Sequence, residues 1–464
     1  WTSCYNSAFA FPERRFMFRN VQTFLSTLTD LTEQGYETLL KKPFFALGSH
    51  GKKVGSMFLQ MPRRQAVAVY GGLLWVIPIA MVWQFESLYM VRLGLSETEV
   101  GVYKALMNLV GLVGFFIGGY VSDFWGRKRT IVLFDALSWG GYCLSLSLAD
   151  GPGWCVSALF FLALVSASVP AYFGLLSEAI SARKRATVFS VLQMVNQIPS
   201  ALFLPLLGGL WVAERGLVPA AHEMYWLFTG LVALGVVLRW KLLPASVAYQ
   251  KAPATWLHAA QEGIGQYRVA LGRFFKHRAS VPLLASKFID EWIINLWGLT
   301  YAAIYYVDHL GLRDSNVAVL NQGGTYVGIL VLFLLVPHFT QRFMTRILGL
   351  DQVLGLLAVL VLLLLGKGAG NPLLVCLLVA GLGAVGNSLY NSVNVSIWMS
   401  IVKEKERAKV VAATLALIRL GLLTTSLGAV LYGKVSPESL LWVMAALRVV
   451  GFFLLRRVSK VMGA

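Results

Sequence analysis

Arg419 is the residue of this chain best placed to do chemistry. It lies nine residues into an apolar run that begins near Val410, or ~14 Å along a helix at ~1.5 Å per residue. That depth is close to the midplane of a ~30 Å hydrocarbon layer. A guanidinium facing lipid there is expensive, so an internal partner is expected. Two roles compete. Arg419 binds an anionic group of a solute, or it pairs with Asp290 or Glu291, which lie ~10 Å into another apolar run by the same rise. A carboxylate in that position is a proton-titrating group: a neighbouring cation stabilises its ionised form and desolvation opposes it. Substrate or a conformational change that tips this balance couples proton to solute. The plainer alternatives are a static buried ion pair and an interfacial Lys287–Glu291 pair.

Other polar side chains recur at helical spacing inside apolar runs. Gln193, Asn196, Gln197 and Ser200 form one face, and Asn387, Asn391 and Asn394, with Tyr390 nearby, form another. Lys287, Asp290, Glu291 and Asn295 make a third, and Lys104 and Asn108 stand four apart. Such faces line a cavity or hydrogen-bond neighbouring helices together, and spacing alone does not choose. Glu86 and Lys104 lie near the same ends of two successive runs, as an outer gate pair or as hydrated interfacial charges. Arg448 has no evident role.

The elements that must carry these residues are membrane spans. The 464 residues are 57% hydrophobic and only 13% charged, against about 25% charged in soluble domains, and mean hydropathy is +0.67. A soluble fold cannot hide that much apolar surface; a chain solvated by lipid need not. Runs long enough to span, at ~20 residues each, fall at 66–91, 99–121, 130–149, 154–178, 187–211 and 224–243. A second set follows at 283–307, 317–336, 347–366, 372–399, 410–432 and 437–455. The fold class is therefore all-α and polytopic, with about twelve transmembrane helices in two six-helix bundles. The expected organisation is an extension over 1–65, bundles over 66–243 and 283–456, a linker over 244–282 and a tail over 457–464.

Net charge is +18, and its distribution is topological. Lys and Arg cluster in alternate connections, at Arg127–Arg129, Arg183–Arg185, 241–278, Arg342 and Arg346, and 403–409, and beside both ends of the core. By the positive-inside rule this places both termini and the linker in the cytoplasm, in a plasma or inner membrane. Basic residues confined to such clusters do not make a nucleic-acid footprint. Cys4, Cys143, Cys155 and Cys376 have no metal-ligand spacing, and no disulfide framework is read from them.

The two halves echo each other. Tyr89-Met-Val-Arg-Leu-Gly-Leu-Ser-Glu-Thr-Glu-Val100 aligns with Tyr306-Val-Asp-His-Leu-Gly-Leu-Arg-Asp-Ser-Asn-Val317, and Arg185-Ala-Thr-Val188 with Arg407-Ala-Lys-Val410. Two matches in order, at corresponding span boundaries, point to duplication, and repeated bundles with a site at their interface recur among transporters. The second pair of matches sets Arg419 against Gln197.

Between the second and third runs lies Gly119-Tyr-Val-Ser-Asp123-Phe-Trp-Gly126-Arg127-Lys128-Arg129. It resembles the cytoplasmic loop signature of the major facilitator superfamily, Gly-x-x-x-Asp-x-x-Gly-Arg-Lys/Arg. An ordinary basic loop explains the cations but not Gly119, Asp123 and Gly126 at fixed spacing. Gly119 lets two helices approach, Gly126 permits a tight turn, and Asp123 meets a helix N-terminus or a loop arginine. The resemblance implies alternating access, with Gly119, Asp123, Gly126, Arg127, Lys128 and Arg129 as a conformational gate. It also implies a cavity lined by the first, second, fourth and fifth spans and their counterparts, so that Gln193, Asn196, Gln197, Asn295, Asn387, Tyr390, Asn391, Asn394, Lys104 and Asn108 are cavity candidates. The last span is then peripheral. The stretch from Pro337 to Arg346 lacks the Gly and Asp framework, so the latch is lopsided. Pro205, Gly208 and Gly209 match part of the family's antiporter motif, with Ser200 and Leu204 in place of its glycines. That nudges the reading toward export; a Pro-kinked helix packing through small residues accounts for it equally.

The resulting expectation is a proton-coupled carrier of a small organic solute, exporting rather than taking up by symport, with Asp290, Glu291 and Arg419 as proton-coupling candidates. No Gly-x-x-x-x-Gly-Lys-Ser/Thr phosphate loop occurs. The histidines are scattered with no metal-like cluster, which argues against a membrane enzyme; a facilitative carrier and a non-transporting sensor on the same fold are the remaining rivals. No cofactor or metal is expected. The expected partners are a small-molecule substrate, protons and the lipid bilayer, with no nucleic acid and a monomeric carrier. Within 1–65, Val21, Phe24, Leu25, Leu28 and Leu31 make an apolar stripe, readable as a surface amphipathic helix, as a targeting remnant or as sequence upstream of a start at Met57 or Met61.

Overall fold

Apolar runs of this length have only one way to satisfy their backbone in lipid without closing a barrel, and that is helix. A computed structural model describes residues 71–178, 202–243, 269, 271–334, 348–366, 368, 370–401 and 407–463. Among them, twelve helical units follow one another with no strand. These are α1 Leu73–Arg92, α2 Glu97–Trp125, α3 over 127–147, α4 over 152–178, α5 Leu204–Arg215 and α6 Leu217–Leu242. The second half has α7 over 280–309, α8 Asn316–Leu334, α9 Leu350–Leu365, α10 Pro372–Ile401, α11 over 407–435 and α12 Pro437–Gly463. Six of the units are long and apolar enough to cross a membrane by themselves. Large apolar side chains such as Leu364, Leu210, Leu427 and Phe453 are exposed, the surface a lipid-solvated protein presents.

Local chemistry sets the boundaries. Ser96 caps α2 in a reciprocal box, its Oγ accepting from the Glu99 N–H at 3.3 Å and Glu99 Oε2 accepting from the Ser96 N–H at 2.8 Å. Gly126 turns α2 into α3 at φ 86°, ψ 147°, a region open essentially to glycine alone; this is the tight turn its place in the signature requires. The sixth helix starts at Leu217, earlier than the run at 224–243. Two polar residues hid that first turn. His222 Nε2 lies 2.7 Å from the Ala149 carbonyl, and Glu223 accepts from Trp211 Nε1 at 2.6 Å, so neither disturbs the helix.

Within each half the helices pack as a bundle, α2 and α3 on α4 and α1 on α6 in the first, α10 on α8 and α9 and α12 on α7 and α9 in the second. The halves meet along two seams, α2 against α11 and α5 against α8. Counting within each half, these are the second helix of one against the fifth of the other, twice over, as a two-fold arrangement of duplicated bundles requires. Small residues make the approaches close. A Cβ at Gly118 would run into the Ala167 backbone of α4, and one at Gly208 into Met81 of α1. The Pro205–Gly209 segment is therefore a tight crossing, which is the packing account of that motif.

Among the described residues four stretches are π-helical: Ala136–Gly140 in α3, Ile294–Tyr301 and Tyr305–His309 in α7, and Leu431–Val435 in α11. Such segments leave backbone groups outside the ordinary ladder and often mark functional sites. The stripe at 21–31, the face of Gln193, Asn196, Gln197 and Ser200, and Arg342 and Arg346 lie outside the described residues. The backbones of Gly119, Asp123, Asn391 and Asn394 belong to α2 and α10, and the side chains of these last three lie outside the described set.

Candidate functional site

A cavity of about 700 Å³ lies between the halves, walled by α1 on one side and by α7, α8, α9, α10 and α12 on the other. Its surface is mainly apolar and aromatic, with Trp83, Trp297, Tyr306 and Tyr390, and a few polar groups converge on it, the usual make-up of a small-molecule site. Gln84 is one of them. From α1 it donates to the Pro205 carbonyl of α5 at 2.9 Å and accepts from Asn321 Nδ2 of α8 at 3.0 Å. One amide thus joins both halves at the cavity wall, and neither Gln84 nor Asn321 stood out in the sequence.

The chemical centre of the cavity is a buried charge network. Asp290 of α7 pairs with Arg448 of α12. Gln352 of α9 donates through Nε2 to both Asp290 oxygens, at 2.9 and 3.0 Å, and to Asp351 Oδ2 at 2.9 Å, while its Oε1 accepts from Arg448 Nη1 at 3.1 Å. Asp290, Asp351 and Gln352 are respectively 3%, 6% and 0% exposed, so every charge here depends on the others. Glycines make the room: a Cβ at Gly355 would stand 2.6 Å from Arg448 Nε, and one at Gly451 2.7 Å from Gln352 Oε1.

This corrects two expectations. Arg448 is the partner of Asp290, and α12 is part of the site wall rather than a peripheral strut. Arg419 pairs with neither Asp290 nor Glu291, and among the described residues it forms no ion pair. It lies against α2 and α4 instead, where a Cβ on Gly111 would be 2.8 Å from its Nη1 and 2.9 Å from Ser166 Oγ. Glu291 faces Lys287 at 3.3 Å, the plainer i, i+4 pair, and the Lys287 ammonium stands 5.6 Å over the Tyr390 ring.

The remaining candidates divide. Tyr390 and Asn387 line the cavity. Asn295 and Asn108 donate to carbonyls one turn back, of Glu291 at 2.8 Å and Lys104 at 3.3 Å, and neither is among the lining residues. Lys104 is also absent from the wall, because its ammonium is fully engaged: it donates to Glu86 at 2.6 Å, Ser87 at 2.7 Å and the Leu299 carbonyl at 2.8 Å. Glu86 is 2% exposed and also accepts from Tyr142 at 2.6 Å, so the pair is buried and not a hydrated interfacial one. Leu299 belongs to the π-helical part of α7, so Lys104 ties the first half to a carbonyl of the second.

That tie is one of several sealing the cavity on the side opposite the Gly126 turn. Tyr301 of α7 donates to the Glu97 carbonyl at 2.8 Å and stacks on Tyr432 of α11 at 3.9 Å. His309 Nε2 lies 3.5 Å from Glu97. Arg92 reaches Asp308 through two contacts of 2.5 and 3.3 Å, with Asp314 at 4.0 Å. Burial pushes the Asp314 carboxyl above its ordinary range, and Arg92 opposes that. With side chains 36% and 24% exposed, the Arg92–Asp308 pair is worth about 0–1 kcal/mol. Arg92→Ala is thus expected to leave thermal stability nearly unchanged and to shift the open population on this face by no more than about 5-fold, read as the distance between spin labels at Asp150 and Arg313. At the other end, Lys128 stands 5.9 Å over the Trp240 ring of α6.

Comparisons with known proteins agree with this architecture. The family model described as Major Facilitator Superfamily matches residues 65–375. Among solved structures, a peptide transporter in complex with alafosfalin superimposes with a TM-score of 0.64 at 17% identity, covering 87% of this chain and 96% of its own. A D-xylose–proton symporter gives a TM-score of 0.61 at 16% identity, covering 85% and 96%. The nucleoside transporter NupG gives 0.58 at 14%, covering 86% and 100%. No curated protein matches.

Proposed function

The chain belongs to the major facilitator superfamily, and on that premise we propose that it moves a small organic solute through a membrane by alternating access, coupled to protons through Asp290. The observation that carries this reading is the position of Asp290. It is a buried carboxylate on the wall of the cavity between the halves, and it depends on Arg448 and Gln352 for its charge. Buried ionisable groups in spans mark solute and proton pathways. The seal made by Arg92, Lys104 and Tyr301 supports a state closed on one face, with the Gly119–Arg129 signature as the device at the other.

Export by exchange is the favoured direction. A solute seated in the cavity and a proton on Asp290 occupy one small volume, so each disfavours the other, and mutual exclusion at one site is the basis of antiport. Positive-inside topology puts both termini and the linker in the cytoplasm. Arg419, at the seam of α11 with α2 and α4, is held to a role at the interface or toward an anionic solute group.

The test is proton flux in proteoliposomes carrying a trapped pH dye, over a panel of small organic cations, zwitterions and anions. Solute movement against the direction of proton flow supports exchange. Movement with it makes the carrier a symporter, and solute flux with no proton movement in any member of the panel overturns the coupling.

A further inference from the structure

Each half buries an arginine of its sixth helix against a carboxylate, and the second half holds one carboxylate more. In the first half, Arg239 of the sixth helix pairs with Asp135 of the third, and the Trp75 ring of the first helix packs on the guanidinium at 3.9 Å. In the second half, Arg448 of the sixth helix pairs with Asp290 of the first, the helix that brings Trp75 to the arginine of the other half, and Asp351 of the third is joined to that pair through Gln352. Neither echo in the sequence covers these positions; the packing supplies the correspondence.

The charge count follows. Arg239 and Asp135 neutralise each other. Arg448 faces two carboxylates and pairs with one, and no cation stands within ion-pair distance of Asp351 among the described residues. The other groups around the network do not fill the deficit. On α7, Lys287 is taken by Glu291. On α10, Tyr390 is a phenol. Arg419 of α11 lies against α2 and α4. The described lining residues of α1 and α8 carry no ionisable side chain. With both carboxylates ionised, a net negative charge would stay buried without a counter-ion, at a cost a group avoids by binding a proton.

We propose that Asp290 and Asp351 form a single proton-binding dyad that holds one shared proton, bridged by Gln352 and balanced by Arg448. The amide of Gln352 is oriented for this: its oxygen is claimed by Arg448, so its NH₂ group faces both carboxylates. The proton belongs to the pair and not to either residue. Loss of either carboxylate leaves a neutral ion pair like the Asp135–Arg239 one and no site for the proton. The proposal rests on the proton-coupled reading above and specifies the site that reading needs.

The experiment is pH-difference infrared spectroscopy of the purified full chain in lipid nanodiscs, with no solute present. The expected result is one carboxylic-acid C=O band in the wild type that titrates with pH, abolished in Asp290→Asn and equally in Asp351→Asn, and retained with a shifted frequency in Asp351→Glu. The glutamate variant keeps the test decisive if an asparagine variant fails to elute as a folded species. A band lost in Asp290→Asn but untouched by both Asp351 substitutions puts the proton on Asp290 alone and overturns the dyad while leaving coupling through Asp290 intact. No titrating band assignable to either residue also overturns it. The band is read without transport, so a dyad that titrates in a protein showing no solute-driven proton flux would sink the coupling and leave the proton site standing.

Discussion

Asp290→Asn is expected to abolish solute-driven proton movement while solute-for-solute exchange continues. Asparagine keeps the shape of the side chain, and its carbonyl still accepts from Arg448. The remaining carboxylate, Asp351, then becomes the sole counter-ion of that guanidinium and ionises for good. Nothing in the cavity is left to take up and release a proton. Removing a positioned proton-transfer group costs about 10²–10⁴-fold in the step it serves, and the coupled flux should fall by at least about 10²-fold. Counterflow of labelled solute, which needs no net proton movement, should stay within a few-fold of wild type. Comparable losses in both assays would make Asp290 a binding or folding residue instead.

The largest effect on stability is expected from Arg448→Met. This change removes the one cation of the network and leaves two buried carboxylates and an amide oriented toward a missing partner. Breaking a buried pair by deleting one member costs about 3–5 kcal/mol, or roughly 3–5 °C in Tm for a chain of this length. Because the cost is uncompensated charge, a second substitution should recover most of it: Arg448→Met combined with Asp290→Asn should melt above Arg448→Met alone. In the first half, Arg239 is 4% exposed beside Asp135, and Arg239→Met with Asp135→Asn forms the matching control. Thermal unfolding followed by size-exclusion reads both series.

The spans and the turn at Gly126 were legible because each rests on a local rule. About twenty apolar residues need a helix, and the backbone between α2 and α3 needs a residue with no side chain. Asp290 was legible as a buried acid because it interrupts an apolar run at depth. Its partner was not. Depth alone favoured Arg419, but nearness across helices is set by which face each helix turns inward, and α12 turns Arg448 toward α7. Asp351 and Gln352 open the ninth span and read as the polar edge of a run, although packing against α12 buries them completely or nearly so. The engagement of Lys104 was hidden for another reason: its acceptor at Leu299 is a backbone carbonyl within a π-helical segment, and no residue type announces that.

The account turns on solute and proton competing for one cavity, and proton release on binding tests that most directly. A solute found in the flux panel is added to the purified carrier in weakly buffered solution at pH values spanning the titration of the infrared band, and the liberated protons are counted per solute bound. The predicted result is release approaching one proton where the dyad is protonated, falling as pH rises through its titration, and none from Asp290→Asn. Saturable binding that liberates no proton at any of these pH values would contradict the account.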